Sequence, residues 1–215
     1  MKKIISFSLW GDHPKYLQGA IENIQLQKKL FPDWNCRFYC HEEIELNWIN
    51  SIRREGCEFI LKEEDPTRKH MDNPGMFWRF EVLKDPDIER CMVRDTDGRL
   101  TQREVNCVKD WERSGKEFHI IRDHLMHGTK IMGEMWGATK EFISRINYDE
   151  LLKQFNSLSY TNTYATDQEF LARMIYPLAK NSSCIHDDWD RYREGARKIP
   201  HLRINNEFIG QPIEL

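Results

Sequence analysis

Residues 90–100 read RCMVRDTDGRL. A short apolar run, Cys91 to Val93, gives way to Arg94 and then to two aspartates one residue apart, Asp95 and Asp97, followed by Gly98 and Arg99. Such a run fits a buried strand covered on both faces. Residues i and i+2 of a strand share a side, roughly 6.5 Å apart, and a turn beyond the strand can bring the two carboxylates closer. Ligands of open α/β sheets gather beyond the carboxyl ends of strands. Two like charges there repel unless a cation lies between them. A hard divalent ion, Mg²⁺ or Mn²⁺, is one resolution, because it takes oxygen ligands and commonly holds substrate phosphates. Arg94 and Arg99 would then offset residual charge or grip phosphate. A polar turn capped by Asp95 or Asp97 is the other. The spacing leaves both open. It does exclude an EF-hand, which would need Asp or Asn at Arg99, Gly at Leu100 and Glu at Asn106.

Outward from this stretch, strand and helix patterns alternate. KIISFSL (3–9) reads as a buried strand, and WGDHP as a loop with Pro14 in the first turn of a helix. Leu17, Ala20, Ile21, Ile24 and Phe31 recur at helical spacing. CRFYC (36–40) and CEFIL (57–61) read as strands, with a helix over 45–55 between them. The polar residues 63–75 read as a loop and MFWRFEVL (76–83) as helical. TQRE (101–104) is a capping box opening a helix that carries Val105, Val108 and Trp111, and FHII (118–121) is the next strand. Helices follow near 140–158, with a second capping box at TDQE (166–169) and a last strand at SCIH (183–186). This alternation predicts an α/β fold with a largely parallel sheet, in one domain spanning residues 1–215.

Composition narrows the function classes. At 40% hydrophobic and 12% aromatic residues the chain is globular. Its net charge of −3, with both signs interspersed, marks no nucleic-acid binder. No apolar run is long enough to span a membrane or to serve as a signal peptide. The six cysteines form no Cys-x-x-Cys pair and sit mostly in apolar segments, which predicts reduced thiols in a cytosolic compartment.

Several further stretches can carry chemistry. RDHLMHG (122–128), with His119 before it, is a metal cluster, an acceptor-binding loop or a polar loop with chance histidines. MGEMWG (132–137) sets Gly133 and Gly137 around Trp136; either a ligand approaches the backbone or a bulge accompanies a core tryptophan. Asp167 sits in a helix's first turn, where the macrodipole alone would favour it, or serves as a general base in a cleft. Arg79 among aromatics suits a phosphate or base contact, or an arginine lying over the core. His186 and Asp187 end a strand, where a sheet presents ligands.

Taken together, these stretches resemble the GT-A nucleotide-sugar glycosyltransferases. The likeness is closest to the small single-domain enzymes of bacteria and of large DNA viruses of algae. It runs nearly end to end, through SFSLWGDHPKYLQGAIENI (6–24), FPDWNCRFY (31–39), GMFWRF (75–80), RDTDGRLTQREVNCVKDWERSGKEFHIIRDH (94–124), IMGEMWG (131–137), TDQEFL (166–171) and IHD (185–187). The resemblance implies a GT-A (Rossmann-like) fold with a mixed, mainly parallel central sheet flanked by helices. It implies a hexosyltransferase that moves a sugar from a nucleotide diphosphate donor, a UDP-sugar in the first instance, to a hydroxyl of a glycan, with inversion or, because the sequence does not fix which face the acceptor attacks, with retention. Asp95, Asp97 and His186 would hold Mn²⁺ or Mg²⁺. Trp10, Gly11, Arg79, Arg94, Asp95, Gly133 and Trp136 would contact the donor, and Asp167 would act as base or sugar contact. The setting would be the cytoplasm, a host's if the chain is viral. The chain departs from the pattern at Gly98, where relatives often have Ser, and at Glu134, where they have a second Gly. Glu134 places a carboxylate near the sugar pocket and leaves the donor sugar open. Two other classes remain: a metal-dependent nucleotidyltransferase or phosphohydrolase, and a non-catalytic sugar-binding module that keeps the fold.

Overall fold

The computed structural model describes residues 1–63, 74–158 and 165–213. Most of the expected loop at 63–75 lies outside the described residues. Seven strands form one sheet: β1 (Lys2–Leu9), β2 (Asn35–His41), β3 (Glu58–Lys62), β4 (Ile88–Val93), β5 (Phe118–Arg122), β6 (Trp136–Thr139) and β7 (Ser183–Asp187). Their order is β3-β2-β1-β4-β6-β5-β7. Every pairing is parallel except those of β6, which runs antiparallel to both β4 and β5. The sheet is mixed and mainly parallel, and β1 and β4 lie side by side at its centre.

Both faces of this sheet are covered, which explains the unbroken apolar runs of the central strands. Alternation along β1 sends Ile4 to one core, with Phe80, Trp136 and Phe170, and sends Ile5 and Phe7 to the other, with Leu17 and Trp111. Helices α1 (Pro14–Leu30), α2 (Leu46–Arg54) and α3 (Gln102–Ser114) feed the second core. Pro14 opens α1, where its missing N–H costs nothing, and His13 accepts from the Lys15 N–H at 3.2 Å as its cap. Gly115 closes α3 at φ +66°, a left-handed position that suits glycine. The first core receives α4 (Lys140–Ile143), α5 (Tyr148–Ser157) and α6 (Thr166–Phe170).

Three local expectations change. The capping box at 101–104 is half formed: Thr101 accepts from the Glu104 N–H at 3.2 Å, but the Glu104 carboxylate binds Arg94. The second capping box does not form as read, because α6 starts one residue earlier, with Ala165 as N-cap at φ 58° and Thr166 already helical. That helix then widens into a π turn (Leu171–Ile175) before α7 (Tyr176–Ala179). Pro177 explains the widening, since it offers no N–H and its ring crowds the carbonyl four residues back. Residues 74–84 are helical but wound as a 3₁₀ segment. It crosses over β1 and carries Arg79.

Candidate active site

The loop after β4 is held from below by α1. Asn23, buried on that helix, donates through Nδ2 to the Gly98 carbonyl at 2.9 Å and accepts through Oδ1 from the Leu100 N–H at 3.0 Å. Gly19, one turn earlier, makes the close approach possible: a Cβ there would sit 1.9 Å from the Thr96 carbonyl oxygen. Arg99 donates to the carbonyls of Thr96, Asp97 and Gly98 and pairs with Glu22 at 2.6 Å, so it secures the loop. Arg94 turns inward, where Glu104 and the carbonyls of Val93, Glu134 and Trp136 bind it. With both arginines committed to backbone, Asp95 and Asp97 remain at the surface of the loop.

They form one wall of a cavity of about 410 Å³ at the carboxyl ends of β1 and β4, also lined by Ser8, Trp10, Tyr16 and Met76. This volume falls within the usual range for small-molecule sites. Lys15 reaches Asp97 at 3.0 Å, and Arg79 pairs with Asp95. Arg79 is itself buried and fixed by two serines on one face of β1: Ser6 Oγ donates to its carbonyl at 2.7 Å, and its N–H donates to Ser8 Oγ at 2.9 Å. Its other terminal nitrogen binds Asp167 Oδ2 at 2.9 Å. Arg79 therefore joins Asp95 to Asp167. Gly133 lies over this pair, where a Cβ would fall 2.5 Å from Asp167 Oδ2. Two polar atoms of the array, Arg79 Nε and Asp167 Oδ1, are buried without a hydrogen-bond partner. Such orphans are costly and rare, and they mark places where a group from outside can complete the bonding.

No family model matches this sequence, and no curated protein does. Solved structures do match in shape. A glycosyltransferase involved in the glycosylation of the major capsid of PBCV-1 superimposes with TM-score 0.53 at 13% identity, over 88% of this chain and 82% of that one. The galactosyltransferase LgtC, in complex with donor and acceptor sugar analogs, gives 0.53 at 12% identity, over 86% and 73%. Core-mannan synthase A of Aspergillus fumigatus, in an Mn/GDP form, gives 0.50 at 8% identity, over 99% and 81%. The fold is that of the GT-A glycosyltransferases.

Within this GT-A fold, the residues expected at the site fall into two groups. Asp95, Asp97, Arg79, Asp167, Gly133 and Trp10 gather around the ends of β1 and β4. Gly11 lies beside them in an exposed turn at φ +74°. Trp136 belongs to the core, stacked on Phe118 at 5.5 Å, and Gly137 is required there because a Cβ would lie 2.7 Å from the Cys91 carbonyl oxygen. His186 is not brought to the aspartates. It shares the side of β7 that faces α3, bonded to His119 at 2.9 Å and Asp110 at 3.1 Å. Strand β7 is three places from β4, about 14 Å at the usual strand spacing, and α3 packs on the face away from Arg79. The 122–128 loop forms no metal cluster: His127 Nδ1 accepts from the Asp123 N–H at 3.0 Å, and His124 stacks on Phe208 at 4.2 Å.

Glu134 adds a further carboxylate beside Asp95. It lines a small cleft with Asp95, and burial raises its pKa. The charges of Asp167 and Asp97 push the same way, and Arg79 only partly offsets them. Asp95, Asp97 and Asp167 face two cations, Arg79 and Lys15, an excess of one negative charge before Glu134, whose charged form burial disfavours, is counted. Hard oxygen donors with that deficit fit a divalent Mg²⁺ or Mn²⁺. Lys15, Asn23 and the serine pair went unread in the sequence. The only signal was the polar alternation Ser6-Phe7-Ser8 inside an apolar strand.

Proposed function

We propose that this chain is a metal-dependent glycosyltransferase, moving a sugar from a UDP-sugar to a hydroxyl of a glycan acceptor. One observation carries this reading: paired carboxylates, still open to further ligands, line a nucleotide-sized cavity, and Arg79 ties one of them, Asp95, to the incompletely bonded Asp167 behind it. Asp95 and Asp97 would hold Mn²⁺ or Mg²⁺, which when bound neutralises the charge that develops on the departing UDP. Trp10 and Tyr16 offer aromatic faces to the base. Lys15, on the rim beside Asp97, is placed to follow phosphate charge. Gly133 lets the backbone pack directly against Asp167 and Arg79, where any Cβ would collide with both.

In a direct, inverting displacement the acceptor oxygen bonds to the anomeric carbon as the bond from that carbon to the UDP oxygen breaks. The acceptor's proton passes to Asp167, whose Oδ1 has no partner in the protein. Arg79 holds Asp167 in place through Oδ2.

Incubation with Mn²⁺ and a panel of UDP-, GDP- and dTDP-sugars tests the proposal. Release of free UDP with a new glycoside is the expected result. Release of a nucleoside monophosphate would instead indicate a nucleotidyltransferase or phosphohydrolase. Binding to the folded state raises Tm by mass action, so the true donor should also stand out in a thermal-shift screen.

A further inference from the structure

A second cluster of ligand-type side chains lies on the opposite face of the sheet from Arg79. Cys184 and His186 are two residues apart on β7 and therefore point the same way, toward Asp110 on α3. One ligand atom from each of the three lies within 4.8 Å of the other two, the only such grouping of His, Cys, Asp and Glu among the described residues. We propose that Asp110, Cys184 and His186 form a site for a zinc-type transition-metal ion, separate from the aspartates of the donor cavity.

The chemistry of the donor set supports this. Sulfur, imidazole nitrogen and carboxylate oxygen together suit Zn²⁺, and three protein ligands leave a fourth tetrahedral position for water. A thiolate and a carboxylate also balance a divalent charge. The surroundings are those of an oriented ligand. Nδ1 of His186 is 2.9 Å from Nε2 of His119, which fixes the ring and turns Nε2 toward Asp110. His119 is in turn stacked on Trp111 at 5.0 Å and buried. Arg197 holds Asp110 Oδ2 at 2.7 Å, which leaves Oδ1 for the ion. Asp110 is one-third exposed, so an ion can enter from solvent.

Titration of the full chain with Co²⁺, in a non-chelating reductant, tests the site without reference to transfer activity. The wild type should develop a thiolate-to-cobalt charge-transfer band that saturates at one equivalent and disappears on addition of Zn²⁺. Asp97→Ala should keep that band, which separates this site from the donor cavity. Cys184→Ala should lose it, and His119→Asn, which removes only the orienting partner, should weaken Co²⁺ binding about 10–100-fold. Circular dichroism would establish that each variant is folded. Absence of the band in the wild type, its persistence in Cys184→Ala, or its loss in Asp97→Ala would each overturn the proposal.

Discussion

Two buried aspartates of this molecule, Asp123 and Asp167, both bind arginine, yet they are finished differently. Asp123, just past β5, accepts from Arg103 through both oxygens at 2.7 and 2.8 Å, from Arg203 at 2.9 Å and from the Ile209 N–H at 2.9 Å. Its bonding is complete, and its partners draw the C-terminal segment back onto the sheet. Burial works against its charge, but Arg103, the Ile209 N–H and Arg203 outweigh burial and hold its pKa below the ordinary carboxylate value. Asp167 shares only Oδ2 with Arg79, and its Oδ1 is buried with no partner. The difference matches the proposed division of roles: the saturated carboxylate holds the fold, and the unsaturated one is where the proposed acceptor would bind.

Four substitutions test that contrast. Asp167→Asn should lower kcat about 10²–10⁴-fold, as loss of a general base does, with a smaller effect on Tm than any change at Asp123. Normal transfer by this variant would reduce Asp167 to a helix-terminal charge. Asp123→Ala should do the reverse. Removing one partner of a buried charge pair costs about 3–5 kcal/mol, and at about 2–4 °C per kcal/mol for a chain of this size the loss is plain in thermal unfolding. An unchanged Tm would break the comparison at its structural end. Gly133→Ala inserts a methyl group against Asp167 and Arg79, and should reduce kcat/KM about tenfold or more, in line with a strain of about 1–3 kcal/mol.

The smallest effect is expected at Glu134. Its folded-state pKa is raised above the ordinary value of 4.5, so ionisation penalises the folded state at neutral pH. Glu134→Gln should therefore raise Tm at pH 7, and the gain should vanish as pH falls below 4.5, where the wild-type carboxyl becomes protonated in both states. Urea titrations of both proteins across that range would show the convergence. A constant difference would place the effect elsewhere.

The sheet was legible because its central strands are apolar on both faces. Runs such as KIISFSL and RCMV announce themselves, and the helices between them carry clear faces and caps. Strand β6 was not legible, since four residues, Trp136–Thr139, are too few to display a period, and nothing local reveals its antiparallel direction. Asp95 and Asp97 could be singled out by their position past an apolar run. The role of Arg79 could not, because it depends on a 3₁₀ segment clamped by serines more than seventy residues away in sequence. His186 shows the converse. Its place at a strand end was readable, but which face of the sheet it took, and which helix covered that face, came only with the three-dimensional arrangement.

In the proposed function, Asp95 and Asp97 seat a metal–nucleotide. Calorimetric titration of UDP into the protein, with and without Mn²⁺, tests it most directly when wild type and Asp97→Ala are compared. Wild type should bind UDP only when Mn²⁺ is present, and Asp97→Ala should lose this binding. Undiminished Mn²⁺-dependent affinity in Asp97→Ala would contradict this assignment.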